Sequence, residues 1–196
     1  MILLNATSQL ELDSQIAALP EPESILWAGS PGMASALARR LVPRASPVDS
    51  IHLTDGDVLI VIGSANPRSH RQADRIDQMR GVTLMRGPSE REDDPAAVLH
   101  RIAGKAAQAL LNGTFGTVIA TGGDTMAAIL DRLDIREFEV LQELEPGFPL
   151  GLATLSKNRQ LMLGMKAGGF GDDDALRRAV AQLRRATPFF WASASL

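Results

Sequence analysis

Residues 117–133, Thr117-Val118-Ile119-Ala120-Thr121-Gly122-Gly123-Asp124-Thr125-Met126-Ala127-Ala128-Ile129-Leu130-Asp131-Arg132-Leu133, decide the fold. Thr117 to Ala120 is a short run without polar alternation, the mark of a strand buried on both faces of a parallel sheet. Met126, Ile129, Leu130 and Leu133 then recur at helical spacing, so the intervening Thr121–Thr125 is a strand-to-helix turn. Two consecutive glycines let backbone approach an anion closely, and the following helix turns its unpaired N–H groups and positive end toward the same point. Thr121 and Thr125 add hydroxyls, and Asp124 either caps the helix or holds a magnesium-bound water. A Gly-Gly-Asp turn also serves as nothing more than a tight connection.

The same unit is found upstream. Val58–Ile62 is a continuous apolar strand, followed by Gly63-Ser64-Ala65-Asn66-Pro67 and a polar helix from about His70 to Met79. Before it, Ile25–Ala28 reads as a short buried strand that ends in Gly29-Ser30-Pro31-Gly32 and opens a helix over Met33–Leu41. Ser8 with Glu11 resembles a capping box for a first helix, which Pro20 and Pro22 stop. Val82–Met85 is a further strand, and Pro95–Leu111 carries Val98, Ile102, Ala106 and Leu110 on one helical face. After Leu133 the rhythm changes to strands at Phe138–Leu144, Leu150–Leu155 and Gln160–Met165, which predict an antiparallel extension before a last helix over about Asp173–Arg185. The expected fold is therefore a three-layer α/β domain spanning residues 1–196. It has a mostly parallel sheet, helices on both faces and an antiparallel extension near the C-terminus.

Composition narrows the function. The 196 residues carry a formal charge of −3, so no general attraction to nucleic acid or to an anionic membrane is expected. Cysteine is absent, which excludes disulfides and thiolate chemistry from this sequence and accords with a reducing, cytoplasmic compartment. The opening Met1-Ile2-Leu3-Leu4 lacks the features of a signal peptide, and no apolar run has the length of a spanning helix.

No G-x-x-x-x-G-K-[ST], no G-x-G-x-x-G after a strand and no G-x-S-x-G elbow occurs. His52, His70 and His100 lack metal-ligand spacing and read as surface residues. Lys166 precedes Gly168-Gly169-Phe170-Gly171, where an ammonium could meet a phosphate oxygen or simply point at water. Asp172-Asp173-Asp174 reads as acids at a helix start rather than a metal site. The apolar tail Pro188-Phe189-Phe190-Trp191 reads as docking on its own domain, with a subunit contact, as in a homodimer, as the alternative.

Taken in order, Ala120–Leu133, Leu144-Glu145-Pro146-Gly147-Phe148-Pro149-Leu150-Gly151 and Met165-Lys166-Ala167-Gly168-Gly169-Phe170-Gly171 resemble the C-terminal nucleotide-binding domain of the four-carbon acid sugar kinases. Trp27–Ala34 resembles the family's G-S-x-G-L-A turn and Gly63–Pro67 its G-S-x-S-P turn, with Asn66 where the family has a second Ser. The resemblance implies an ATP-dependent phosphotransferase domain acting with Mg2+ on threonate, erythronate or 3-oxo-tetronate. It implies ATP contacts from Ser64, Gly122, Gly123, Asp124, Thr125 and Gly168, to which the residue reading adds Lys166. The family's N-terminal domain, with its G-D-D-L-T-G-type motif and sugar-acid site, has no counterpart in this sequence. The expected partners are accordingly ATP or ADP and an N-terminal-type kinase subunit, without which the chain is expected to be inactive. A non-catalytic nucleotide-sensing or interaction protein derived from the family is the competing expectation.

Overall fold

The computed structural model describes residues 1–42, 54, 56–63, 65–90, 93–113 and 115–185. They divide near residue 47 into two compact units.

The first unit is built on α1 (Gln9–Ala17) and α2 (Pro31–Leu41). Ser8 Oγ accepts the Glu11 amide at 3.2 Å, as the capping pattern predicts. The Glu11 carboxylate reaches one residue further back than a reciprocal box requires, taking the Thr7 amide at 2.8 Å. Arg39 and Asp13 link the two helices through an ion pair of 2.7 Å. Ile25–Ala28 is not the predicted buried strand: it joins no sheet, and Leu26 is 98% exposed. A strand is defined by a ladder partner, and the regular elements of this unit are helical. The chain instead makes a 3-10 turn at Pro22–Ser24, and Trp27 Nε1 donates to the Pro22 carbonyl at 2.8 Å.

The second unit contains β1 (Asp57–Ile62), α3 (Pro67–Asp74), β2 (Val82–Arg86), α4 (Pro95–Leu111), β3 (Phe115–Thr121) and α5 (Gly123–Arg132), followed by β4 (Glu139–Glu145), β5 (Phe148–Thr154), β6 (Gln160–Lys166) and α6 (Ala175–Arg185). The six strands form one sheet in the order β2-β1-β3-β6-β5-β4. β2, β1, β3 and β6 are mutually parallel, while β5 is antiparallel to both β6 and β4. The predicted mixed, mostly parallel sheet with an antiparallel extension is present: β6 lies antiparallel to β5 and also pairs in parallel with β3, placing Thr121 opposite Lys166.

α3 begins at Pro67 and ends at Asp74, against the predicted His70–Met79. Pro67 supplies a pre-set φ in the first turn, and the Asn66 side chain accepts the Arg68 amide at 2.9 Å, so capping chemistry outweighs a faint periodic signal.

Alternation along the strands builds two cores. Val58, Ile60, Ile62, Ile119, Leu150 and Met162 pack with Ala73 of α3 and Leu176 and Val180 of α6. Leu59, Val61, Val118, Ala120, Leu161 and Leu163 pack with residues of α4 and α5. The helices after the neighbouring strands β1 and β3 therefore cover opposite faces, and the crevice beyond their carboxyl ends is a topological switch point. Among the described residues no helix is long and apolar enough to cross a membrane.

Gly63 marks how closely the crevice walls approach. A Cβ added there would stand 2.0 Å from Thr125 Oγ1. Gly63→Ala is expected to destabilise the protein by ~1–3 kcal/mol through overpacking. In a Thr125→Gly background the cost should shrink, which a double-mutant cycle of denaturant titrations measures.

Candidate functional site

Three turns meet at the carboxyl ends of adjacent parallel strands: Gly63–Asn66 after β1, Gly122 after β3 and Ala167–Gly171 after β6. Ser64, the predicted contact in the first turn, lies outside the described residues. The third turn follows a strand parallel to the other two, because β6 pairs with β3 on one side and with antiparallel β5 on the other.

Gly122 adopts φ 97, a conformation that L side chains rarely take, and its amide donates to the Lys166 carbonyl at 2.9 Å. It forms the N-cap of α5, where no side chain takes a capping hydrogen bond. The first amides of that helix are thus left for another acceptor. Gly123 and Asp124 are exposed, and a Cβ at Gly123 would meet nothing within 4 Å. Asp124 sits inside the first turn, so it does not fill the cap position weighed for it from the sequence. Thr125 is buried against Gly63. Thr121 is fully buried, and its Oγ1 has no hydrogen-bond partner among the described residues.

Beside the α5 N-terminus opens a cavity of about 380 Å³, walled by Gly123, Met126, Leu130, Phe138, Gly147 and Met165. Its flanks are apolar and its rim is a helix N-terminus, a combination suited to a flat apolar group carrying an anion.

Lys166 neither points at water nor stands free for a phosphate. It is 2% exposed, and its Nζ donates to the carbonyls of Ala167 at 2.9 Å and Gly168 at 3.2 Å. Burial, and secondarily the Arg68 charge, lowers its pKa to about 8. Gly168 also accepts from Ser69 Oγ at 2.7 Å.

The aspartates stand just before α6. Asp172 Oδ1 accepts the Asp174 amide at 3.0 Å and Asp172 pairs with Arg178 at 2.9 Å, while Asp173 pairs with Arg71 at 3.3 Å. Their neighbours lower the carboxyl pKa of Asp172 and of Asp174, hydrogen bonds from Arg178 and Arg177 respectively being the largest causes. No group of three or more metal-ligating side chains exists among the described residues. His100 contacts Arg132 at 2.8 Å, and His52 and the tail Pro188–Trp191 lie outside the described residues.

Of the predicted residues, Gly122, Gly123, Asp124, Thr125, Lys166 and Gly168 gather around one crevice. Sequence reading missed Arg68, Ser69 and Gln72 of α3. The signal was present in Ser69 and Gln72, polar residues three apart on the face that also carries the buried Ala73.

Residues 85–176 match the family described as a nucleotide-binding C-terminal domain. The chain is 36% identical over 91 residues to a D-threonate kinase of Bordetella bronchiseptica, which covers 46% of this chain and 22% of the kinase. It is 26% identical over 183 residues to a 3-oxo-tetronate kinase of Pseudomonas fluorescens, covering 93% of this chain and 38% of that protein. A Bordetella bronchiseptica domain of unknown function, solved with bound citrate as a domain-swapped dimer, superposes with a TM-score of 0.60 at 25% identity, over 94% of this chain and 53% of its own. A Haemophilus influenzae protein shares the fold at a TM-score of 0.62 and 16% identity, over 91% of this chain and 52% of its own. Over residues 85–176 the chain is thus similar to a nucleotide-binding C-terminal domain, and in part to D-threonate and 3-oxo-tetronate kinases, as its motifs predict. It spans about half the length of the solved relatives and less of the curated kinases it matches.

The pKa of Lys166 yields a test of its burial. The group falls from an ordinary 10.5 to about 8 on folding, so between these values the unfolded chain binds more protons than the folded one. Stability contributed by this site therefore rises with pH across that window and is absent below it. The difference in unfolding free energy between wild type and Lys166→Met should move in favour of wild type between pH 8 and 10, followed by urea titrations at each pH.

Proposed function

We propose that the crevice binds the phosphates of ATP or ADP, and that the chain is the nucleotide half of a kinase for a four-carbon sugar acid. The observation that carries this reading is the convergence of three glycine turns and the uncapped α5 N-terminus beside an apolar cavity, at a topological switch point. The amides of Gly122–Thr125 and Gly168, with Ser64, would hold phosphate oxygens. Met126, Leu130, Phe138 and Met165 would flank the base. Phosphoryl transfer needs alignment and charge neutralisation more than covalent participation, which suits a site made of backbone amides. Asp124, exposed at the start of α5, would be the carboxylate that helps to hold a magnesium ion beside the phosphates. That ion, when bound, neutralises phosphate charge.

The acceptor hydroxyl and its base are assigned to a separate substrate domain, because the matched kinases are far longer than the aligned region. A domain that binds nucleotide without turnover is the second reading, on the same ground of partial coverage.

Millimolar ADP or ATP with magnesium should raise the Tm of the chain by several degrees, as expected for ~2.7 kcal/mol of stabilisation at a hundredfold excess over Kd. Gly123→Asp, which has room for its side chain but adds a carboxylate where phosphate would lie, should keep the unliganded Tm and abolish the shift. An absent shift in wild type, or an undiminished one in Gly123→Asp, overturns the proposed site. Sugar-acid phosphorylation that appears on adding an N-terminal-type domain supports the kinase reading; nucleotide binding without any turnover in that mixture supports the second.

A further inference from the structure

The loop after β6 has an unusual property. Every backbone carbonyl from Ala167 to Asp172 is taken, and a side chain takes each of them. Lys166 Nζ donates to Ala167 at 2.9 Å and Gly168 at 3.2 Å, and Ser69 Oγ donates to Gly168 at 2.7 Å. Arg68 Nη1 donates to Gly169 at 3.3 Å and Gly171 at 3.2 Å. Gln72 Nε2 donates to Phe170 at 3.0 Å and Asp172 at 2.6 Å. Three of these four donors lie on a single helix, α3, and the fourth begins the loop.

A trans peptide fixes the N–H of one residue opposite to the carbonyl of the residue before it. No peptide bond in the described chain is cis. Holding the carbonyls of Ala167, Gly168, Phe170 and Gly171 thus turns the amides of Gly168, Gly169, Gly171 and Asp172 each away from the donor that holds the preceding carbonyl. Among the described residues none of those four amides donates a hydrogen bond, whereas the Phe170 amide turns back to Ala167 at 3.1 Å. A run of backbone amides facing one way is an anion cradle.

Charge gives a second, independent indication. Lys166 and Arg68 both donate to neutral carbonyls, and among the described residues neither pairs with a carboxylate. The two are close enough that Arg68 disfavours the protonated lysine. Neighbouring arginines are treated differently: Arg71 is matched to Asp173 and Arg178 to Glu145 and Asp172. Asp172, Asp173 and Asp174 line one hollow with Arg68 but are engaged by Arg178, Arg71 and Arg177, so the charge of Lys166 and Arg68 behind the loop remains to favour an anion in front of it.

We infer that Arg68, Ser69 and Gln72 of α3, together with Lys166, are positioning residues that present the amides of the Gly168–Asp172 loop to the phosphates of the nucleotide. The inference rests on the nucleotide site proposed above. The side chains act through the loop and need not touch the ligand, so their removal should weaken phosphate recognition while leaving recognition of the nucleoside intact.

Titration of wild type, Arg68→Gln and Gln72→Leu with ADP and with adenosine tests this. Arg68 is exposed, so Arg68→Gln should retain the unliganded Tm, which keeps the test valid where the buried Gln72 variant fails to fold. The expected result is a loss of about tenfold or more in ADP affinity for Arg68→Gln, with adenosine affinity unchanged and a shallower salt dependence of ADP binding. An Arg68→Gln protein that binds ADP as wild type does, or that loses ADP and adenosine affinity in equal measure, overturns the inference and leaves the nucleotide site standing. Wild type that binds no ADP removes the underlying site as well.

Discussion

Parallel pairing of β3 with β1 on one side and β6 on the other governs everything at the carboxyl edge of the sheet. It places Ile62 beside Thr121 and Thr121 beside Lys166, so that three chain reversals distant in sequence begin at the same level. The hydrogen bond from the Gly122 amide to the Lys166 carbonyl extends this ladder one step past the strands and ties two of the reversals together. Alternation along the same strands sends α3 to one face and α5 to the other, which opens the crevice between them. Each local feature of the site depends on that register: the close contact of Gly63 and Thr125, the uncapped α5 and the loop beyond Lys166. A shift of one residue would turn Thr121 and Lys166 to the opposite face.

Much of this was legible in the chain itself. α4 was found at its observed bounds because Pro95 and Asp94 mark its start and its apolar stripe is uninterrupted. The turn at Gly122–Thr125 was legible because two glycines between a buried strand and an amphipathic helix have few other uses. β6 was found as a strand of the antiparallel extension, as its pairing with β5 bears out, but its parallel pairing with β3 was not legible, since that partner lies some forty residues earlier. Ile25–Ala28 failed for a related reason: four apolar residues satisfy a pattern, but only a neighbouring strand makes a ladder.

The site was less legible than the fold. Lys166 could be singled out by its place before a glycine run, yet whether it met water, phosphate or backbone depended on α3 packing over it. Arg68, Ser69 and Gln72 stand in a polar stretch that reads as solvent-facing. The burial of Ser69 and Gln72, and the bonding of all three, follow from the loop they hold, which is not adjacent in sequence. The hydroxyl of Thr121, fully buried and without a described partner, is likewise a property of the assembled crevice.

The bonds between α3 and the β6 loop join residues 98 to 103 positions apart. Contacts of such separation form late, because loop closure must be met before they contribute. The early part of this unit can therefore collapse around β1, β2 and β3 without any competent loop, and the crevice is completed only when β6 docks and its successor folds back on α3. A chain lacking β6 would lose the strand that joins β3 to β5, together with Leu161, Met162 and Leu163 of both cores and the loop that α3 holds.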